Sequence, residues 1–110
     1  MHRGPRHWRW GRSGPGRPAK PRFIWYSPGN IVFVPMKTDN VEYYGEPVYL
    51  LPDELEALRL VYFEELTQEE AAKRMGVSRG TLWRALSSGR KKVVRALVEL
   101  RPIAIISPEE

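Results

Sequence analysis

A short run of cationic, polar and aromatic side chains near residue 80 has the chemistry needed to read the edges of DNA bases. An arginine guanidinium can donate to O6 and N7 of guanine together, which makes Arg79 and Arg84 candidates for bidentate contacts. For Trp83 two alternatives stay open: packing against protein, or stacking on the sugar and backbone of DNA. The predicted base contacts are Ser78, Arg79, Gly80, Thr81, Trp83 and Arg84.

Other side chains around this run suit the phosphate backbone. Lysine and arginine neutralise phosphates, which adds affinity that carries no sequence information. Gln68 stands at the expected start of a helix, where free backbone amides also attract a phosphate. The predicted phosphate contacts are Gln68, Ser87, Arg90, Lys91, Lys92 and Arg95.

No constellation in the sequence has the pattern of a catalytic or metal site. The two histidines, His2 and His7, lie in a segment rich in Gly, Pro and Arg, where no rigid shell would orient them. The chain has no cysteine, which excludes disulfides and thiolate metal sites. Asp53, Glu54 and Glu56 are better explained as charges at the start of a helix than as metal ligands. We therefore expect no enzymatic activity, no cofactor and no metal.

Two helices joined by a tight turn would position the candidate DNA contacts. Thr67 and Glu70 have the spacing of a capping box, so a helix of about eight residues is predicted to follow Thr67. Gly76 suits the left-handed position after its last turn, and Ser78 caps a longer helix that Pro102 closes. The residues predicted to face inward on these helices are Ala71, Ala72, Met75, Leu82, Leu86, Val93, Leu97 and Leu100.

The segment 68–87 resembles the twenty-residue helix-turn-helix pattern of many bacterial and archaeal regulators. Ala72 is small where the two helices would cross, Gly76 occupies the turn, and Val77 and Ala85 are apolar where the motif packs inward. The alternative is a pair of packed helices with no role in DNA binding. The basic outer face of the second helix favours the DNA-binding interpretation, in which the helix predicted over 78–100 enters the major groove.

A further helix is predicted over 53–64. Pro52 suits its first turn, and Leu55, Leu58 and Tyr62 form one apolar stripe. Its outer face is expected to be acidic and to turn away from phosphates, with Glu54, Glu56, Glu64 and Glu65 exposed.

Short strands are predicted on either side of the helices. The runs 23–26 and 31–34 are aromatic and β-branched, and the turn residues between them favour a hairpin. Residues 41–44 and 47–50 are further extended candidates. The apolar run 103–106 is too short for a helix, and two readings stay open, an edge strand or a dimer contact.

The first 21 residues are expected to form a flexible basic arm, since their Gly, Pro and Arg content disfavours both helix and strand. The triplet 16–18 resembles the centre of an AT-hook, although a proline precedes its glycine. The broader expectation is an arm that follows the backbone or minor groove of DNA. The predicted arm contacts are Arg12, Arg17, Lys20 and Arg22.

Charge is segregated along the chain, whose net charge is +5. Basic residues dominate up to Arg22 and from Lys73 to Arg101, and acidic residues dominate from Asp39 to Glu70. Segregation of this kind favours a polyanionic partner over a surface that is merely solvated. No apolar run approaches the length of a membrane span, and no signal peptide is evident, so a cytoplasmic, nucleoid-associated protein is expected.

The chain is similar to domain-of-unknown-function family 134, a family of small prokaryotic proteins. The similarity lies in residues 53–60, 67–86 and 90–92, together with the basic segment 16–22. It covers roughly residues 16–106 and leaves 1–15 as an apparent extension. The resemblance implies DNA binding through a helix-turn-helix like that of sigma-factor region 4, and it implies no particular set of target genes.

The expected fold is mainly α: a three-helix helix-turn-helix domain, winged-helix-like or sigma region-4-like, preceded by a short β-rich segment and a disordered basic arm. We expect the arm over 1–21, an extended segment and candidate dimer contact over 22–50, the DNA-binding domain over 51–101 and a tail over 102–110.

The favoured function is a sequence-specific transcriptional regulator that binds double-stranded DNA as a homodimer. One alternative is a sequence-independent architectural nucleic-acid binder. Another is an adaptor that docks on RNA polymerase through the acidic face of the first helix.

Overall fold

The computed structural model describes residues 6–8, 22–38 and 45–106, the side chains of 6–8 excepted, and combines three helical segments with two small sheets. The helices account for about half of these residues, so the fold is mixed α/β rather than mainly α. The elements in chain order are β1 (Arg6–Trp8), β2 (Arg22–Ile24), β3 (Ile31–Phe33), β4 (Val48–Leu50), α1 (Pro52–Leu58, continued by a π-helical turn, Arg59–Phe63), α2 (Gln68–Met75), α3 (Arg79–Glu99) and β5 (Ile103–Ile105).

The predicted hairpin between 23–26 and 31–34 is wrong. Strand β2 pairs with β1 in an antiparallel two-stranded sheet, whereas β3 pairs antiparallel with β5 in a different sheet. Strand β1 falls inside the segment expected to be a flexible arm; the rest of that segment, the AT-hook-like triplet and the candidate strand 41–44 lie outside the described residues. The residues between these two runs do separate them, as predicted. Each run, however, pairs with a strand that is distant in sequence.

The final apolar run forms the central strand of the second sheet, not an edge strand. The order is β3-β5-β4, and β4 pairs with β5 in parallel. A parallel pair needs a long crossover connection, and here α1, α2 and α3 supply it. The two ends of the helical unit are therefore held side by side, which makes residues 102–106 part of the folded domain.

The predicted helix ends are confirmed. Thr67 accepts a hydrogen bond from the Glu70 amide at 3.1 Å, and the Glu70 carboxylate accepts one from the Thr67 amide at 2.9 Å. Gly76 is left-handed with φ of 69°, and the Ser78 hydroxyl accepts from the Thr81 amide at 3.1 Å. These local contacts satisfy amides that have no partner within their own helices. They fix where α2 ends and α3 begins.

One apolar core lies among the three helices and β2. As predicted, Leu82 and Leu86 of α3 are fully buried, but Leu97 and Leu100 are exposed. Gly89 and Ala96 take the inward positions in their place. The core residues are Ile24, Ala57, Leu60, Ala71, Ala72, Met75, Leu82 and Leu86. None of the helices in the described part of the chain has the length and apolar character needed to span a bilayer.

The expected acidic outer face of α1 is the largest error of the sequence-based prediction. Glu54 and Glu56 are buried, and Tyr62, expected in the apolar stripe, is half-exposed. Amphipathic patterning assumes that carboxylates face water. Burial is tolerated here because each carboxylate accepts several hydrogen bonds, at least one of them from a distant element. Only Glu64 and Glu65 of the expected face remain exposed.

Each buried glutamate joins α1 to other parts of the fold. Glu56 accepts from the Trp25 amide at 3.0 Å and from the Arg59 guanidinium at 3.0 and 2.9 Å. Glu54 accepts from the Ser88 hydroxyl at 2.6 Å and the Lys92 ammonium at 2.9 Å. The hydrogen bonds that Arg59 donates to Glu56 are the main reason that the pKa of Arg59 is raised.

Strand β2 is anchored on the turn between α2 and α3. The ring of Phe23 lies directly over Gly76, so that a Cβ atom there would be 2.9 Å from Cδ2 of the ring. The indole of Trp25 donates to the carbonyl of Arg74 at 3.1 Å. Glycine is thus required at residue 76 for two reasons, its positive φ and the aromatic ring above it.

Arg22 and Asp53 form a second link between β2 and α1. Arg22 Nε lies 3.4 Å from Asp53 Oδ2, and both side chains are mostly buried. Burial raises the pKa of Asp53, and the positive charge of Arg22 opposes that shift. Arg22, predicted to contact DNA with the arm, is instead held against α1.

Replacement of Gly76 by alanine should destabilise the fold. The left-handed backbone costs an L-residue about 1–2 kcal/mol, and the clash with Phe23 adds to this, so we expect a loss of about 1–3 kcal/mol. Urea denaturation measures the change. Gly80→Ala is the matched control, because its nearest atoms are 3.8 and 3.9 Å away in open surroundings. Equal effects of the two substitutions would contradict this assignment.

The raised pKa of Asp53 predicts how Asp53→Asn changes the pH dependence of stability. The folded state keeps this proton to higher pH than the unfolded chain, whose pKa is near 3.8. The wild type should therefore lose stability relative to Asp53→Asn as pH rises from 3.8 through the folded-state pKa, and the difference should then stay constant. Denaturation between pH 3 and pH 8 measures it. A difference of opposite sign would mean that Arg22 outweighs burial.

Candidate nucleic-acid interface

The outer face of α3 and strand β4 border one open cleft of about 770 Å³. Six of the sixteen predicted DNA contacts line it, and none of the described residues on its walls is acidic. The cleft is lined by Pro47, Val48, Tyr49, Trp83, Arg84, Ser87, Ser88, Lys91, Lys92, Arg95 and Arg101.

Three exposed cations form a row on the outer face of α3. Arg84, Lys91 and Arg95 are spaced by seven and four residues, which places them along one side of a helix. The opposite side of the same helix carries Leu82 and Leu86 into the core. A rigid helix therefore presents the cationic row, and the surface that it offers suits a polyanion.

Lys92 lies on the cleft wall but belongs to an internal ion pair. Its ammonium contacts Glu54, whose side chain is only 5% exposed. A buried carboxylate that lost this cation would be left with an uncompensated charge. Lys92 therefore stabilises the fold, whereas its neighbour Lys91 is exposed.

Two aromatic side chains stand at the cleft with about half of their surface exposed. Trp83 is 52% exposed and Tyr49 is 53% exposed. This exposure shows that Trp83 is not a core residue, and it leaves both alternatives for Trp83 open, packing against protein or stacking on DNA. Both rings are accessible for stacking against bases or sugars.

The first turn of α3 is occupied by local hydrogen bonds. The Ser78 hydroxyl donates to Thr81 Oγ1 at 3.1 Å, and the Arg84 guanidinium donates to the same oxygen at 3.3 Å. Arg79 and Gly80 are exposed, and they precede the cleft by about one turn. The predicted base contacts are thus divided between the helix start and the cleft.

The other predicted contacts lie outside the cleft. Arg90 donates to the Tyr62 hydroxyl at 2.8 Å, on a different side of α3. Gln68 is partly buried in the first turn of α2. Arg12, Arg17 and Lys20 lie outside the described residues.

The sequence-based prediction missed Tyr49, Ser88 and Arg101. The alternation at 48–50, in which Tyr49 stands between two buried residues, was a signal that its ring faces the opposite side. Arg101 is fixed by the Glu46 carbonyl at 2.7 Å and by Glu99 at 2.9 Å. No local signal could have placed Arg101 here, because the parallel pairing of β4 with β5 brings these segments together.

The chemistry of the cleft is that of a binding surface. Its side chains are cations, hydroxyls and aromatic rings, which donate to phosphates and stack on bases. Within the described ranges, no three His, Cys, Asp or Glu side chains are grouped so that they could hold a metal ion. The structure thus brings together side chains of the types that can contact phosphates and bases.

Comparison with known proteins identifies relatives along almost the whole chain. A family model described as "Protein of unknown function DUF134" matches residues 10–109. A UPF0251 protein of Pyrococcus furiosus is 50% identical over 101 residues, which is 89% of this chain and 87% of the relative. One of Pyrococcus abyssi is 65% identical over 60 residues, 54% of each chain. One of Clostridium beijerinckii is 44% identical over 89 residues, 81% of this chain and 59% of the relative.

No solved structure matches the chain. The family match covers far more than half of the sequence, and the resemblance in residues 53–60, 67–86 and 90–92 is consistent with it. The chain therefore belongs to the DUF134 family, whose similar curated members are UPF0251 proteins.

Proposed function

We propose that this protein binds double-stranded DNA through α3. The observation that carries the proposal is the row of exposed cations, Arg84, Lys91 and Arg95, on a helix whose other side is fixed in the core. The absence of acidic side chains among the described residues of the cleft removes the repulsion that phosphates would otherwise meet. Trp83 and Tyr49 add surfaces for sugars or bases.

We interpret α2, the turn and α3 as a helix-turn-helix. The three residues between the helices, the left-handed Gly76 and the Ser78 cap support this interpretation, as does the burial of Ala72 where α2 meets the core. In such a motif the second helix enters the major groove and its first residues reach base edges. Arg79 and Arg84 are then the candidate guanine contacts, and β4 with Tyr49 stands beside the helix as a wing does.

The protein is proposed to act as a sequence-specific transcriptional regulator, without enzymatic activity, in the cytoplasm. A homodimer suits this role, because two copies of α3 would read two half-sites about one helical turn apart. The adaptor alternative loses support, since burial of Glu54 and Glu56 removes half of the acidic face that was expected to dock on RNA polymerase. The architectural alternative is decided by the experiment that follows.

Recovery and sequencing of genomic fragments bound to the full chain should give a discrete DNA site. Replacement of Arg84 by alanine should lower affinity for that site about 5- to 150-fold, the contribution of one bidentate pair. Affinity for unrelated DNA should fall much less. Fluorescence anisotropy with the site and a scrambled duplex measures both.

Lys73→Ala is the control for a lost surface charge, because Lys73 is exposed on α2 away from the cleft. It should leave discrimination between the two duplexes unchanged. Uniform recovery of genomic DNA, with equal losses on both duplexes in Arg84→Ala, would replace the regulator with the architectural binder.

The salt dependence of binding should report the cations of the cleft. Each phosphate contact contributes about 0.9 to the slope of log affinity against log salt. Lys91→Ala should therefore make the slope shallower by about 0.9 for each protomer bound, whereas Lys73→Ala should leave it unchanged. Anisotropy titrations between 50 and 300 mM salt measure the slopes. Equal slopes for Lys91→Ala and the wild type would show that DNA does not occupy the cleft.

A further inference from the structure

Strand β3 forms one edge of the three-stranded sheet. It pairs with β5 on one side, and none of the described strands pairs with its other side. An edge strand presents backbone amides and carbonyls that can pair with another strand. Natural edges are usually protected by charges, bulges or proline, and Ile31, Val32, Phe33 and Val34 include no charge and no proline.

The side chains of this edge are apolar and exposed on both faces of the sheet. Phe33 is 57% exposed, Val32 is 52% exposed, and Met36 beyond the strand is 69% exposed. Such a concentration of large apolar side chains on one strand is typical of an interaction site.

The register shows which side chains of the sheet share a face with the exposed side chains of β3. Ile31 and Phe33 lie opposite Ile105 and Ile103, so they share the sheet face that the buried Leu50 occupies on β4. On that face Val48, Leu50 and Ile105 are buried, whereas Ile31 and Phe33 are exposed. Among the described residues, the apolar layer therefore runs from buried side chains on β4 and β5 to exposed ones on β3.

The distribution of charge on the protein indicates which partner would bind this edge. The protein carries +5 overall, and its cations line the cleft beside α3, whereas residues 29–36 have no charged side chain. This edge therefore offers no cation to a phosphate. Two copies of a cationic protein repel least where neither carries charge, and an uncharged strand can pair with itself without like-charge neighbours.

We propose that two copies of the chain pair through β3, antiparallel and about a two-fold axis, into one six-stranded sheet. Each copy's Ile31 and Phe33 then pack against those of the other copy, which completes the apolar layer that a single chain leaves open. The arrangement is isologous, so it closes as a dimer and does not extend into fibres. It rests on the homodimer proposed above but not on DNA binding.

Sedimentation velocity of the full chain without DNA tests the proposal. The wild type should sediment as a dimer at micromolar concentration. Phe33→Lys brings two positive charges together near the two-fold axis and should raise the dimer dissociation constant about 100-fold or more. Val98→Lys is the matched control, because Val98 is an exposed valine of α3. It should leave the dimer intact.

A monomeric wild type at every concentration would overturn the proposal. So would dissociation by Val98→Lys with Phe33→Lys still dimeric, which would place the interface on α3. Because the Arg84→Ala variant should remain a dimer, a failure of DNA recognition and a failure of pairing are separate results.

Cross-linking gives a second test that does not depend on how well the lysine variant folds. The chain has no cysteine, so single substitutions Ile31→Cys, Val32→Cys and Phe33→Cys each supply one thiol. Antiparallel pairing of β3 with its copy brings at least one of these positions within disulfide reach of its counterpart. That variant should form a covalent dimer under mild oxidation much faster than Val98→Cys. Equal rates at all four positions would refute pairing through β3.

Discussion

Two buried carboxylates on the first helix hold the rest of the structure in place. Glu56 binds the backbone of the β2 segment and the guanidinium of Arg59, while Glu54 binds Ser88 and Lys92 of α3. A carboxylate without partners would cost several kcal/mol in such a position, so each of these donors is required by the fold. The orientation of α3 relative to α1 is therefore set by electrostatics as much as by apolar packing, and so is the direction in which its cations point.

The parallel pair β4–β5 supplies the second constraint. Since the chain leaves β4, forms all three helices and returns beside β4 as β5, the ends of the helical unit cannot separate without breaking the ladder. The same pairing places Tyr49 and Arg101 next to α3 and turns a convex helix into one wall of a cleft. The sheet is thus part of the candidate interface. Within the described residues, the pairing leaves β3 as the last strand on the other side of β5.

Local features of the fold could be predicted from the sequence, and distant ones could not. The Thr67 capping box, the left-handed Gly76 and the Ser78 cap each depend on residues within four positions, and all three predictions are confirmed. The hairpin was predicted from neighbouring runs, but the strands pair with partners up to 74 positions away, where no local signal exists. The charges of α1 were misplaced for a similar reason. Whether Glu56 faces water depends on Trp25 and Arg59 in the folded chain, and amphipathic patterning carries no information on that.

The cationic cleft beside α3 and the uncharged edge of β3 complement one another in charge. With Lys92 committed to Glu54, Arg101 to Glu99 and Arg84 proposed to contact a base, Lys91 and Arg95 are the described cleft cations that remain for phosphates, a salt dependence of about −1.8 for each copy bound. A slope of that size implies modest affinity for a single chain. A second copy joined through an uncharged strand would double the slope to about −3.6 and double the base contacts, without placing any cation in the interface between copies. The pairing proposed for β3 would therefore raise the affinity of the DNA binding proposed for α3.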